Sequence, residues 1–515
     1  MFLKILLAAF LVCPASVLSA AQPAWLAASR LPAPVTEPAP GDDLRVTVHR
    51  LKNGLTVYLS PNKETPRIST WIAVRAGSRH DPSDSTGMAH YLEHMFFKGS
   101  EKLGTLDYSA EKPHLDAIRR LYEEHFVSTD TAAREAIYRR IDEENVKAAR
   151  FAVPNEYDRV YKSLGFRNIN AFTSNDMTVY IADFPKNRIG TWAELESDRF
   201  ARPVFRLFQS EIETVYEEKN RSMDNAWRIL NEALDKALFG DHPYGRTTLG
   251  SVEHLKNPSL AKLYDFVSVN YIPNNMAIAL AGDFDRKEAL KVIEKRFGAW
   301  NPKPVTPPQA AVPPAHRAPE RVEVKYESEE QVSLAWPMPS SSDPDADALE
   351  VMGMVMSNSG AGIVDLALNQ AQKVKQAGSS MNLMNEGGSW ELWAVPKDSQ
   401  TLEEAEALLL GTVASLKSGA FTDEDLKAIV TNYEIEQKMK LESNDARVAE
   451  MAMSFLSFQE WPRTAGRLER IKKVTRADVL RVAEKYLGDG RVAAYRRRGK
   501  PELPLIQKPG FTKID

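Results

Sequence analysis

Two histidines and a glutamate sit within five residues of one another in the stretch Met88-Ala89-His90-Tyr91-Leu92-Glu93-His94-Met95-Phe96-Phe97. The stretch has no proline, is rich in helix formers and follows Gly87, so it reads as a helix. Residues four apart share a helix face, so His90 and His94 point the same way and suit one tetrahedral metal ion. Glu93 lies beside them, placed to hold and deprotonate a metal-bound water. H-x-x-E-H is the inverzincin pattern, the reverse of H-E-x-x-H. Only nine of 515 residues are histidine, so a chance occurrence is expected in roughly one chain in a hundred. Met88, Ala89, Leu92, Met95, Phe96 and Phe97 surround the triplet, which implies a mostly buried helix. Buried imidazoles and carboxylates need partners, and a metal supplies them.

A metal held by two histidines needs a third protein ligand, usually from a separate element. A helical stretch from Phe205 to Leu238 carries Glu211, Glu213, Glu217 and Glu218. Glu211 and Glu218 share one face, and Glu213 and Glu217 share another. Spacing alone does not choose among the four.

The elements that must position these groups follow from the periodicity. Val46 to Leu51 and Leu55 to Leu59 alternate around Asn53-Gly54, a hairpin signal, and Ile68 to Ala76 forms a further strand. Tyr108 to Arg150 is charged and helical in period, and we read it as an antiparallel helix pair inserted as structural cover (about 108–160). Asn168 to Thr173 and Met177 to Ile181 return to strand. Such a strand is either internal or an edge that an extended peptide can join by backbone pairing. Lys303 to Pro319 holds six prolines and reads as a linker. Beyond it the alternation of strands and helices repeats, without a second H-x-x-E-H and with no histidine after His316. A duplicated domain in which one copy keeps the metal fits this layout.

Composition bounds the rest. With 43% hydrophobic and 26% charged residues the chain is an ordinary globular one, long enough for more than one domain. A net charge of −4 provides no basic field, which excludes nucleic acid as an expected partner. Lys4, the apolar run Ile5 to Val12 and the small residues Ser19-Ala20-Ala21 read as a secretory signal peptide over 1–21. A periplasmic or secreted protein, with no membrane anchor after cleavage, is the expectation. The only cysteine, Cys13, lies inside that signal, so the metal ligands must be His and carboxylate. The predicted layout is a Pro/Ala-rich tether over 22–43, a metal-binding domain over 44–302, the linker over 303–320, a second domain over 321–500 and a tail over 501–515.

The chain resembles the pitrilysin/insulinase/mitochondrial processing peptidase family of zinc metallopeptidases. Gly87 through Gly99, Asn170-Ala171-Phe172-Thr173 with Thr178-Val179-Tyr180, Glu211 through Asn225, and Tyr271 through Met276 ending in Gly282-Asp283-Phe284 carry the resemblance. It implies an α+β fold of two tandem, similar domains, each a mostly antiparallel sheet covered by helices, with pairs of such units enclosing an unfolded peptide. It implies Zn2+ on His90, His94 and Glu218, with Glu93 as general base and Glu211 as a supporting carboxylate. Glu217 is the competitor if the register slips by one. It implies substrate pairing at Asn170 and Ala171. Active members also use an Arg and a Tyr on a helix after a Gly-rich turn in a later domain. Here Asn369 stands about where the Arg belongs, and no Tyr follows before Ser380. The expectation is a zinc endopeptidase for extended peptides, in a hetero-oligomer whose homologous partner supplies the Arg/Tyr pair, a homodimer being poorly active. The alternative is a non-catalytic structural or assembly subunit of the same fold.

Overall fold

Alternating apolar residues on either side of Asn53-Gly54 begin the first sheet. In the computed structural model, which describes residues 31–305, 314–358 and 360–501, Gly54 has φ +86°. A side chain there would lie 2.6 Å from Asn274 Cβ, so glycine is needed for space as well as conformation. The chain runs through β1 (Thr47–Arg50), β2 (Thr56–Pro61), β3 (Arg67–Val74) and α1 (Met88–Met95). Helices α2 (Tyr108–Val127), α3 (Thr131–Ala149) and α4 (Glu156–Ser163) precede β4 (Arg167–Thr173) and β5 (Thr178–Pro185). Then come α5 (Ile189–Ala201), α6 (Phe208–Met223), α7 (Ala226–Phe239), α8 (Val252–Leu255), α9 (Leu260–Asn270), β6 (Met276–Gly282) and α10 (Arg286–Phe297).

The second half contains β7 (Glu320–Tyr326), β8 (Gln331–Met338), α11 (Ala346–Met356), β9 (Gln376–Leu383) and β10 (Gly388–Val395). It continues with α12 (Leu402–Lys417), α13 (Asp423–Lys440), α14 (Asn444–Leu456), α15 (Trp461–Ala465), α16 (Arg467–Ile471), α17 (Arg476–Tyr486) and β11 (Val492–Arg498). The two sheets run β1-β2-β6-β3-β5-β4 and β7-β11-β8-β10-β9. Leaving β1 aside, they have the same plan. One parallel pair, β2 with β6 or β7 with β11, is extended by antiparallel neighbours. The expected pair of similar α+β domains is thus the observed architecture.

Each sheet buries one face under its own helices. Val57, Leu59, Ile72, Leu280 and Tyr180 pack against Leu92, Phe96, Trp192 and Phe200 in the first half. The other face is covered by a helix from the opposite half. Val448, Met451, Ala452 and Phe455 of α14 pack on Tyr58, Ala73, Val179 and Ala279. In return, Leu230, Leu234 and Leu238 of α7 pack on Ala335, Val492 and Ala494 of the second sheet. Polar contacts reinforce the exchange: Arg75 donates to the Phe455 carbonyl at 2.9 Å, and Trp71 Nε1 donates to Asp445 at 3.2 Å.

Several expectations needed adjustment. The stretch 205–238, expected as one helix, is two. It breaks at Asp224-Asn225, where the Asn225 side chain accepts from the amides of Trp227 and Arg228 and starts α7. The part of the tether that is described is not loose. Val35 bridges Val48, Arg50 donates to the carbonyls of Leu31 and Pro32, and the Ala33 amide donates to Glu460. Strands β9 and β11 and helix α9 are further elements that the expected layout lacks. The expected signal peptide and most of the tail lie outside the described residues. Among the described residues no helix is long and apolar enough to cross a membrane.

Candidate metal centre

Helix α1 begins at Gly87, whose φ is +90°. A Cβ there would sit 2.7 Å from the Leu249 carbonyl oxygen, so only glycine fits this close approach. Asp81 takes up the free amides of the first turn, accepting from Gly87 at 2.7 Å and from Ala89 at 2.9 Å. Burial pushes the Asp81 carboxyl up to about 7 despite those bonds. Met88, Ala89, Leu92 and Met95 fasten the helix to the core. Tyr91 donates to the Phe208 carbonyl at 2.9 Å, tying α1 to the start of α6. His90 and His94 thus stand side by side, ring centroids 4.8 Å apart.

Helix α6 brings Glu218 to the two rings. Its Oε2 lies 3.4 Å from His90 Nε2 and 3.4 Å from His94 Nε2. These separations are long for hydrogen bonds. They match the edge of a tetrahedron with metal–ligand bonds near 2.0–2.1 Å, which is about 3.3 Å. The three ligand atoms all lie within 4.8 Å of one another, and no other such group of three occurs among the described residues. Two imidazoles and one carboxylate suit a divalent ion such as zinc. Glu217, at the neighbouring helix position, is not part of this group, so the register favours Glu218. Glu213 is likewise outside this group.

Glu211, one face-repeat earlier on α6, supports the site from behind. Its Oε1 pairs with His94 Nδ1 at 2.8 Å, and its Oε2 with the Lys98 ammonium. That contact fixes which His94 nitrogen faces Glu218. Burial alone would lower the pKa of His94, but the bond to Glu211 and the nearby Glu218 carboxylate outweigh burial and push it up to about 9. The adjacent imidazoles of His90 and His94 hold the Glu218 carboxyl well below its usual range. Glu211 is also lowered: burial opposes ionisation, but His94 and Lys98 overcome it.

Glu93 stands next to the rings, with its Oε2 accepting from Thr173 Oγ1 at 2.7 Å. Its pKa is raised, chiefly by burial and against the pull of Thr173 and the two imidazoles. A carboxylate with a raised pKa is a better proton acceptor near neutral pH. Thr173 ends β4, which is the last strand of its sheet and, among the described residues, leaves one edge unpaired. On that strand Asn170 is exposed and Ala171 buried, with Ala171 opposite Tyr180 of β5. The choice between an internal and an edge strand is therefore settled as an edge beside Glu93.

The second half offers no such group among the described residues. Asn369 exchanges two hydrogen bonds with the backbone of Ala377, its Nδ2 donating at 2.9 Å and its Oδ1 accepting at 2.8 Å. It pins the start of β9, while Asp365 accepts from Asn358, Gly360 and Gly362 and folds the preceding turn. Asp81, Lys98 and Thr173 join the site through contacts that their local sequence does not announce. Asp81 lies in a turn-forming Asp-Pro-Ser-Asp run, the one local signal that could have marked it.

The comparisons with known proteins identify the family and the fold. The family model described as Insulinase (Peptidase family M16) matches residues 56–113 and 147–252, and the one described as Peptidase M16 inactive domain matches 258–433. The unmatched stretch between the first two segments falls within α2 and α3. A probable mitochondrial-processing peptidase subunit beta from Arabidopsis thaliana is 23% identical over 88% of this chain and 77% of that protein. Zinc protease PqqE from Helicobacter pylori is 22% identical over 85% of this chain and 89% of that protein. A solved protease structure from Helicobacter pylori superposes with a TM-score of 0.73 at 20% identity, covering 87% of this chain and 98% of that one. The periplasmic protease PqqL from Escherichia coli matches with a TM-score of 0.66 at 16% identity, over 89% of this chain but only 48% of that one.

Proposed function

This chain belongs to the insulinase family, peptidase family M16, and from that premise we propose that it is a zinc-dependent endopeptidase acting on extended peptides. The observation that carries the reading is the convergence of His90, His94 and Glu218 beside Glu93, with the Glu218 Oε2 at tetrahedral-edge distance from both rings. His90, His94 and Glu218 would hold the zinc. A bound zinc supplies Lewis acidity and lowers the pKa of water towards neutrality. Glu93 takes the proton of the attacking water and delivers it to the leaving amine. Thr173 aims the Glu93 carboxylate, and Glu211 holds the His94 ring. The open edge of β4, at Asn170 and Ala171, pairs with the backbone of an extended substrate.

The chain acts with a partner. Asn369 is engaged with Ala377 and no Tyr follows it before Ser380, so a second, homologous subunit supplies the Arg and Tyr that bind substrate. Relatives named as a subunit, and the match to half of PqqL, support a two-part arrangement. A homodimer is expected to be poorly active. The periplasm or the exterior is its place of work, a reading supported by the residue 1–21 pattern and by the structural likeness to PqqL, itself a periplasmic protease. The same Asn369 observation favours one other reading, a non-catalytic assembly subunit, which leaves the ordered base and ligands without a task.

Hydrolysis of a quenched extended peptide, with and without a chelator, separates the two. Zinc-dependent cleavage that rises when an Arg/Tyr-bearing homologue is added supports the enzyme. A zinc-loaded complex with no turnover on any extended peptide supports the scaffold.

A further inference from the structure

We propose that the first turn of helix α2 positions the metal ligands, through a chain of contacts running Glu111–Arg206–Lys98–Glu211–His94. The inference rests on the metal centre proposed above and adds Glu111, Arg206 and Lys98 to it as positioning residues. Glu111 lies in the first turn of α2, and Arg206 lies two residues ahead of α6. Their side chains are 0% and 2% exposed and pair in a two-pronged fashion, Nε to Oε1 at 3.0 Å and Nη2 to Oε2 at 3.2 Å. The remaining donors of Arg206 go to the loop that leaves α1. Nη1 donates to the carbonyls of Lys98 at 2.7 Å and Leu103 at 3.1 Å, and Nη2 donates to that of Ser100 at 2.8 Å. A guanidinium has five N–H groups, and all of them are used.

The loop is shaped for this guest. A Cβ on Gly99 or Gly104 would fall 2.9 or 2.7 Å from Arg206 Nη1. Lys98, held by its own carbonyl, sends its ammonium to Glu211 Oε2, and Glu211 Oε1 meets His94 Nδ1 at 2.8 Å. Arg206 therefore fixes two things together: where α6 begins and where Lys98 sits. A buried ion pair adds little net stability over an apolar pair of the same shape. What this one adds is geometry, because it joins the three segments that carry the ligands and their supporting groups.

The test uses the full chain and zinc alone, with affinity read by competition against a chromophoric chelator. Metal-free unfolding midpoints are measured in parallel, and affinities are compared where every variant is folded. Glu111→Gln and Lys98→Met are each expected to weaken zinc binding by about 10- to 100-fold, the usual effect of groups that orient ligands. Lys98→Arg, which keeps the charge, is expected to recover most of the loss. The double variant is expected to bind about as weakly as the worse single one, because both break the same chain. Glu111→Asp is the milder second variant, with a smaller loss in the same direction. Wild-type affinity in Glu111→Gln and Glu111→Asp, or losses that multiply in the double variant, would overturn the proposal. A wild-type chain that takes up no zinc would instead overturn the metal centre, and this inference with it.

Discussion

The two halves have one plan and different chemistry. In each, a central antiparallel strand leads to a helix laid on the sheet: β3 to α1 in the first half and β8 to α11 in the second. In α1 the positions turned towards α6 carry His90 and His94, with Glu93 beside them. In α11 the large buried side chains are Leu349, Val351, Met352, Val355 and Met356, and Glu350 reaches outward to Arg467 at 2.6 Å. The partner helices differ likewise: α6 presents Glu211 and Glu218, whereas α13 buries Leu426, Ile429 and Tyr433. Apolar patterning alone therefore builds the fold. The site is a small polar substitution set laid over it, sustained by groups that satisfy each buried charge.

The widest gap between the halves is expected in turnover. Glu93→Gln should lower kcat by about 10²- to 10⁴-fold, the range for a lost general base, while zinc content stays the same. Glu350→Gln, on the corresponding helix, should leave kcat unchanged. Equal effects would erase the functional distinction between α1 and α11.

Stability should instead treat the halves alike. Phe455 and Leu230 are both fully buried on the exchanged helices. Phe455→Ala should cost about 3–5 kcal/mol and Leu230→Ala about 2–5 kcal/mol. Because each helix covers the other half's sheet, both variants should lower one shared unfolding transition in calorimetry. Two separate transitions, each shifted by its own variant, would show that the exchange does not couple the halves.

A smaller effect separates the halves by pH. In the metal-free chain the His94 pKa is raised to about 9 from an ordinary 6.5. A raised pKa means the folded state favours the proton, so this contribution is full below about pH 6.5 and is lost as pH rises through 9. Zinc must displace that proton, so its affinity should fall by up to about tenfold for each unit of pH below 9. Chelator competition at pH 7, 8 and 9 reads the slope, and a flat profile would contradict a protonated His94. Smallest of all is Lys112→Ala, at a solvent-exposed pair with Asp116 on α2, which should leave the unfolding midpoint in place.

What the sequence revealed divides by range. The triplet on α1 was legible because its spacing is local and helical geometry converts it directly into a face. The third ligand was not: Glu217 and Glu218 differ by one step, and only the packing of α6 on α1 decides which meets the rings. The Thr173–Glu93 contact spans 80 residues and has no local signature. The exchange of α7 and α14 was equally hidden, since an apolar face does not specify which sheet it covers. Strand β11 went unread because its run Tyr495-Arg496-Arg497-Arg498 looks solvated, yet Tyr495 is buried and Arg497 is paired with Glu323 and Glu403. The break at Asn225 is marked in the sequence only by the capping chemistry of one asparagine within a long helical run.

Anomalous diffraction from zinc-loaded crystals of the full chain reads the metal position directly. One zinc bound by His90, His94 and a Glu218 oxygen, with Glu93 near but unbound, is the expected result. A zinc held elsewhere, or one at the histidines with Glu218 turned away and no other carboxylate in its place, would contradict it.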